Sequence, residues 1–168
     1  MFSTRTLNAV ALAATVTLWY GCGGDDPTGP GPVTFPDWPV PATTAICVRG
    51  TALVGDTRSG TISETDCDAA EINPTDPGYF ETWRVRVATA GDVTFDVSST
   101  FDNFLTVLRV TSITSTGGNV IVIADNDDRS ASDPNALVTV RLEPNVDYVV
   151  AVSSLEYLDF GLYTLTIR

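Results

Sequence analysis

The 168-residue chain contains no histidine and no lysine, a single methionine and only three cysteines. Each shortage removes a class of chemistry. Without histidine there is no Ser-His-Asp triad, and zinc would have to be held by three thiols at most. Without lysine or any basic run, nine arginines must carry all the positive charge against 21 acids, leaving a net charge of −12. Nucleic acid is therefore excluded as a natural partner, because duplexes and single strands are gripped by cations that neutralise phosphates. No apolar run reaches the roughly 20 residues of a spanning helix; the longest, Asn8 to Tyr20, has the length of a signal-peptide core behind a basic tip at Arg5. The sequence thus says more about where the protein works than about what it does there.

After that core come Gly21-Cys22-Gly23-Gly24-Asp25-Asp26. This junction resembles a bacterial lipoprotein signal, with Gly21 as the small residue before the cysteine and Leu18 one place early. The resemblance implies cleavage after residue 21, diacylglyceryl transfer to Cys22, and attachment to the membrane through a lipid anchor; ordinary secretion with cleavage near Gly21 is the alternative. The expected address is the bacterial cell envelope, as an outer-membrane lipoprotein or at the cell surface, since Gly23 rather than aspartate follows the cysteine. Removing the signal takes away Arg5 and none of the acids, so the net charge goes from −12 to −13.

Three cysteines in an exported chain leave one over unless it has another task. Lipidation occupies Cys22, and Cys47 and Cys67 are expected to form a disulfide in an oxidising compartment.

Residues 22–43 hold a dense series of prolines and glycines with no apolar period, which predicts an extended tether. Phe35, Trp38 and Val40 interrupt it and are expected to dock on the following domain or to await a partner. Residues 44–168 then form one domain. It has no sustained helical period but nine short β-branched and aromatic runs between turn signals: 45–49, 60–63, 79–88, 92–98, 104–111, 119–124, 136–142, 147–153 and 162–168. This spacing predicts an all-β, antiparallel sandwich or barrel. Trp83, Val85 and Val87 alternate with Thr82, Arg84 and Arg86, as do Val93, Phe95 and Val97 with Thr94, Asp96 and Ser98, so each strand is expected to have one wet face. Ala90-Gly91-Asp92 and Thr116-Gly117-Gly118-Asn119 read as hairpin turns. Phe104–Val110 and Ile121–Ile123 are apolar on both faces and are expected to be central, covered strands.

The order of segments carries a family resemblance: Phe101-Asp102-Asn103-Phe104-Leu105, Ala124-Asp125-Asn126-Asp127-Asp128, Asp147-Tyr148-Val149-Val150, then Gly161-Leu162-Tyr163-Thr164-Leu165. From about Gly50 to Arg168 the chain resembles the bacterial pre-peptidase C-terminal domain. The resemblance implies a jelly-roll β-sandwich of about eight or nine strands that serves as a non-catalytic accessory module of secreted hydrolases. Some similar sandwiches bind polysaccharide or protein, with calcium as a stabiliser. Pro144-Asn145-Val146-Asp147 departs from the family, which has a glycine there.

Asp125, Asn126, Asp127 and Asp128, joined by Asp102 and Asn103, are the candidate calcium ligands, being hard oxygen donors in a loop between strands. The EF-hand glycine and glutamate are missing, and the alternative is an Asx-turn loop that the acids merely cap. A second acidic group, Glu64, Asp66, Asp68, Glu71 and Asp76, surrounds Cys67 and reads as a solvated loop pinned by the disulfide. Tyr157 and Phe160, with Trp38, are candidates for an aromatic ligand site, or else fold back as a lid. Tyr148 and Tyr163 are expected in the core with their hydroxyls hydrogen-bonded. Catalysis would require a close carboxylate pair, as in glycoside hydrolysis, and no motif supports one. Three functions stay open: an accessory binding module, a structural component of the envelope, and a carboxylate hydrolase, with the non-enzyme reading first.

Overall fold

The computed structural model describes residues 30–38, 47–68, 78–156 and 158–168. The expected signal peptide (1–21), the expected lipidation site Cys22, most of the expected tether with Val40, Glu71 and Asp76 of the second acidic group, and Tyr157 lie outside the described residues.

Ten strands form two sheets. The larger holds β1 (Val48–Ala52), β4 (Tyr79–Val85), β9 (Tyr148–Ser154), β6 (Asn103–Thr114) and β7 (Gly117–Asn126) in that spatial order, with β3 (Cys67–Asp68) also joined to β4. The smaller runs β2 (Thr57–Ile62), β10 (Gly161–Ile167), β5 (Gly91–Ser99) and β8 (Leu137–Leu142). All pairings are antiparallel except β1 with β4. From β4 onward the chain changes sheet at every connection save the β6–β7 hairpin, which is the wrapping of a jelly roll. The fold class read from the sequence is the observed one.

The core lies between the sheets and is built by alternation. Phe95 and Val97 from β5, Leu165 and Ile167 from β10, Leu105 and Val107 from β6, and Val150 and Val152 from β9 are all buried there. Tyr148 and Tyr163 are 2% exposed, and Tyr148 Oη accepts the Glu143 N–H at 2.9 Å. The disulfide between Cys47 and Cys67 closes a separation of 20 residues and ties the start of β1 to β3.

Four expectations need correction. Ala90-Gly91-Asp92 does not close a hairpin, because β4 and β5 belong to different sheets and this stretch carries the chain across the sandwich. The chain bends just before it, at Ala88 and Thr89, and whether such a bend pairs its flanks or passes between layers depends on the core it straddles. Ile121–Ile123 is not central: β7 ends its sheet, and Ile121 and Val122 are 51% and 54% exposed. Nor does β4 have a wet face, since Thr82 and Arg84 are 0% and 6% exposed. Finally, β1 begins at Val48, three residues beyond the expected start, and β3 is additional to the nine runs.

The cover over β4 comes from the proline-rich segment. The outer face of the large sheet carries a second small apolar cluster, Phe80, Leu108, Val149 and Ala151, on which Trp38, Cys47 and Cys67 pack. Arg84 stacks 3.8 Å beneath the Trp38 ring and 5.4 Å from Phe35, and donates to the Pro36 carbonyl at 2.9 Å. Arg86 donates to the Thr34 carbonyl at 2.8 Å. Asp147 holds both guanidiniums, at 3.1 Å from Arg84 and 2.9 Å from Arg86. Phe35 and Trp38 therefore dock, as irregular chain rather than as a strand.

Candidate functional site

Three loops meet at one pole of the sandwich: that between β5 and β6, the long one between β7 and β8, and that between β9 and β10. Two asparagines fix the first two of them. Asn103, fully buried, donates to Ser99 Oγ at 2.8 Å and Asn135 Oδ1 at 3.2 Å, while its own Oδ1 accepts the Ala136 N–H at 3.0 Å. Asn126 Nδ2 donates to the carbonyls of Asp128 at 2.8 Å and Leu137 at 3.0 Å, sewing the end of β7 to the other sheet. Asp127 Oδ1 accepts the Asp128 N–H at 2.8 Å. Arg129 bridges Asp133 at 2.9 Å and Asp96, and Asp96 also meets Arg168. These bonds have the character of loop fixation, in which Asx side chains replace absent backbone pairing.

The six expected calcium ligands are thereby divided. Asn103 spends both ends of its amide, and Asn126 its Nδ2, on backbone and side-chain partners. Asp125 is exposed on β7, in register with Thr106. Asp102, Asp127 and Asp128 share the pole, and two acids outside the expected set, Glu156 and Asp159, join them. Among the described residues, no group of three or more histidine, cysteine or acidic side chains is arranged to hold a metal ion.

Asp102 is the focus of this rim. Its backbone N–H donates to Asp159 Oδ2 at 3.2 Å, and its carbonyl accepts the Leu155 N–H at 3.0 Å. Its Oδ1 is buried without a hydrogen-bond partner. Burial pushes its carboxyl above the ordinary aspartate range, and the charges of Asp128, Glu156, Asp127 and Asp159 push the same way. The sequence signal for the missed pair is Glu156 and Asp159 flanking Tyr157, a spacing that carries no motif of its own. Phe160 is half-buried and meets the edge of Tyr79 with centroids 5.6 Å apart, the folded-back arrangement.

A different polar cluster sits inside the sandwich. Glu81 on β4 is fully buried, and its Oε2 accepts the Tyr163 hydroxyl at 2.9 Å; Tyr163 Oη in turn accepts the Trp83 indole N–H, also at 2.9 Å. Arg49 Nε lies 3.0 Å from Glu81 Oε1, close enough to pair as a charge but not aligned as a hydrogen bond. Burial raises the Glu81 carboxyl above its usual range; Tyr163 and Arg49 oppose this, and Asp66 adds to it. Burial and the neighbouring Glu81 charge likewise push the Tyr163 hydroxyl up. Nothing in the strand pattern foretold this network, because Glu81 occupies an inward position that periodicity assigns to an apolar residue.

The fold and its loops define an all-β sandwich with an acidic pole. No family model and no curated protein matches the chain. Among solved structures, it is similar to the pre-peptidase C-terminal domain of a collagenase from Bacillus anthracis, with 13% identity and a TM-score of 0.49 over 71% of this chain and 93% of that one. That likeness is too distant to bring ligand or activity with it.

Proposed function

We propose that the chain is a surface-anchored, non-catalytic accessory binding module of the bacterial envelope, held by acylated Cys22, with calcium steadying its acidic pole and polysaccharide or protein as its ligand. The observation that supports this most is the two-pole layout. Residues 31–34 lie beside Arg86, Ala88 and Asn145, at the end of the sandwich where Val85 pairs with Tyr148. Asp102, Glu156 and Asp159 lie at the other end, beyond Ser154. β9 runs from one pole to the other, a span of about 20 Å. A domain tethered this way presents its acidic loops outward from the anchoring surface.

The non-catalytic reading is supported by Glu81, the carboxyl most enclosed by the fold, which no substrate can reach. Calcium at the rim would relieve the repulsion on Asp102. Millimolar calcium is therefore expected to raise the melting temperature through mass action. Asp102→Asn is expected to raise the melting temperature in chelator and to shrink the calcium response. Identical melts with calcium and with chelator would reject the ion. Acyl mass on residue 22 in protein extracted from membranes tests the anchor, and binding to a glycan array tests the ligand. The second reading, a structural component of the envelope, is favoured by the open edge of β7.

A further inference from the structure

We infer that the sandwich seats its tether-side end on the lipid headgroups, on two feet: the Leu53-Val54 tip of the β1–β2 turn and the end of the β6–β7 hairpin. The inference rests on the anchoring of Cys22 proposed above. The tether reaches the domain between these feet. Gly31–Thr34 lie beside Arg86, just past β4, and Asn145, just before β9. β4 and β9 are neighbours in the larger sheet, with β1 on one side and β6 and β7 on the other. β1 ends at Ala52, in register with Val85 at the end of β4, so the turn after it emerges at the tether's end. Arg109 of β6 pairs with Tyr148 at the start of β9, and Val110 still bonds to the Asp147 carbonyl. Thr111 to Thr114 then carry the hairpin past that same end by about 13 Å.

The chain's own attachment selects the bilayer as the occupant. Pro30 is eight residues beyond Cys22, a reach of at most about 29 Å. An acylated chain therefore holds this end near the headgroups at an effective concentration of about a millimolar, where a weak contact suffices. The feet have the matching chemistry. Leu53 and Val54, 37% and 50% exposed, share an open cleft with Val33 of the tether and with Val87 and Ala88. From Thr111 through the hairpin to Asn119 no side chain is ionisable. The charges set the orientation. Six of the eight described arginines, Arg58, Arg84, Arg86, Arg109, Arg141 and Arg168, lie in the half of the sandwich beside the tether, whereas eleven of the seventeen described acids lie in the other. The balanced half can meet an anionic surface without repulsion. The acidic pole, a length of β9 or about 20 Å away, stands beyond the screening length of about 8 Å.

The test uses the exported chain from Cys22 onward, its Cys47–Cys67 disulfide intact and its Cys22 thiol coupled to a maleimide lipid in vesicles of phosphatidylethanolamine and phosphatidylglycerol. Coupling supplies the anchor whether or not cells acylate the cysteine. Hydrogen exchange is compared with that of the same chain coupled to a soluble maleimide. The expected result is slower exchange at Leu53–Gly55 and Thr114–Gly118 on vesicles, with Asp127 and Asp128 unchanged. Val54→Asp and Thr116→Asp change exposed side chains, so each is expected to keep the melting temperature and to cut the protection of its own foot roughly tenfold. Exchange identical on vesicles and in solution, protection at the acidic pole instead, or feet indifferent to both aspartates would each overturn the inference. Should a variant fail to fold, the footprint of the unsubstituted chain decides alone. Absence of acyl mass on residue 22 in protein from membranes would overturn the anchor, and the seat in cells with it, by a separate measurement.

Discussion

Gly60 is where one added carbon should cost most. It sits on β2 directly opposite Tyr163 of β10, and its backbone is outside the left-handed region, so alanine brings no strain of its own. A Cβ there would lie 2.4 Å from Glu81 Oε2 and 2.4 Å from both Cζ and Oη of Tyr163. Ordinary van der Waals contact begins about 1 Å further out. Neither neighbour can yield cheaply, because Glu81 and Tyr163 are buried and bonded to each other. Overpacking costs about 1–3 kcal/mol, and breaking a buried hydrogen bond to a charged group costs about 1.5–3 kcal/mol more. Against this stands the gain of about 0.4–1 kcal/mol that a glycine-to-alanine change gives by stiffening the unfolded chain. The balance is a loss of about 2–6 kcal/mol, or about 6–20 °C in melting temperature for a domain of this size. Differential scanning calorimetry of Gly60→Ala measures it. An unchanged or raised melting temperature would show that Glu81 and Tyr163 are not clenched over Gly60 as described.

Three other outcomes are expected. Because burial raises the Glu81 carboxyl in the folded state, its contribution to stability is present in full below the unfolded pKa and is lost as pH rises through the folded one. Melting temperatures of Glu81→Gln relative to the parent should accordingly climb as the pH rises above about 4, and a constant difference would refute this. Reducing Cys47–Cys67 opens a loop of about 20 residues and should destabilise by about 3 kcal/mol, read as a lower denaturation midpoint with dithiothreitol. Asp147→Ala leaves Arg84 and Arg86 without their shared carboxylate and should cost about 3 kcal/mol, with faster proteolysis between Pro30 and Trp38. Equal cleavage rates would mean that Asp147 has no part in holding the segment.

What was legible in the sequence was local. Alternation along Val93-Phe95-Val97 and Tyr163-Leu165-Ile167 located β5 and β10, because a strand with one buried face writes its period directly into the chain. Layer assignment was not legible. Ile121-Val122-Ile123 has the composition of a covered strand, yet its position at the end of a sheet is settled by which partner β6 and β9 choose. Arg84 has the polarity of a wet face, and the return of Phe35 and Trp38 covers it. At the pole, the acids were legible as a group but not their division of labour. Asn103 and Asn126 look like ligands in one dimension and act as braces in three. Glu156 and Asp159 became neighbours of Asp102 only through the closure of β9 on β6.

The arginine clamp has a mechanical consequence. A pull arriving from upstream of Pro30 meets first the grips of Arg86 on Thr34 and Arg84 on Pro36, which can peel away one after another without disturbing either sheet. Further along, Cys47 is bolted to Cys67 and through it to β3 and β4. Drag on the molecule would thus be met first by reusable grips, with a covalent stop standing behind them.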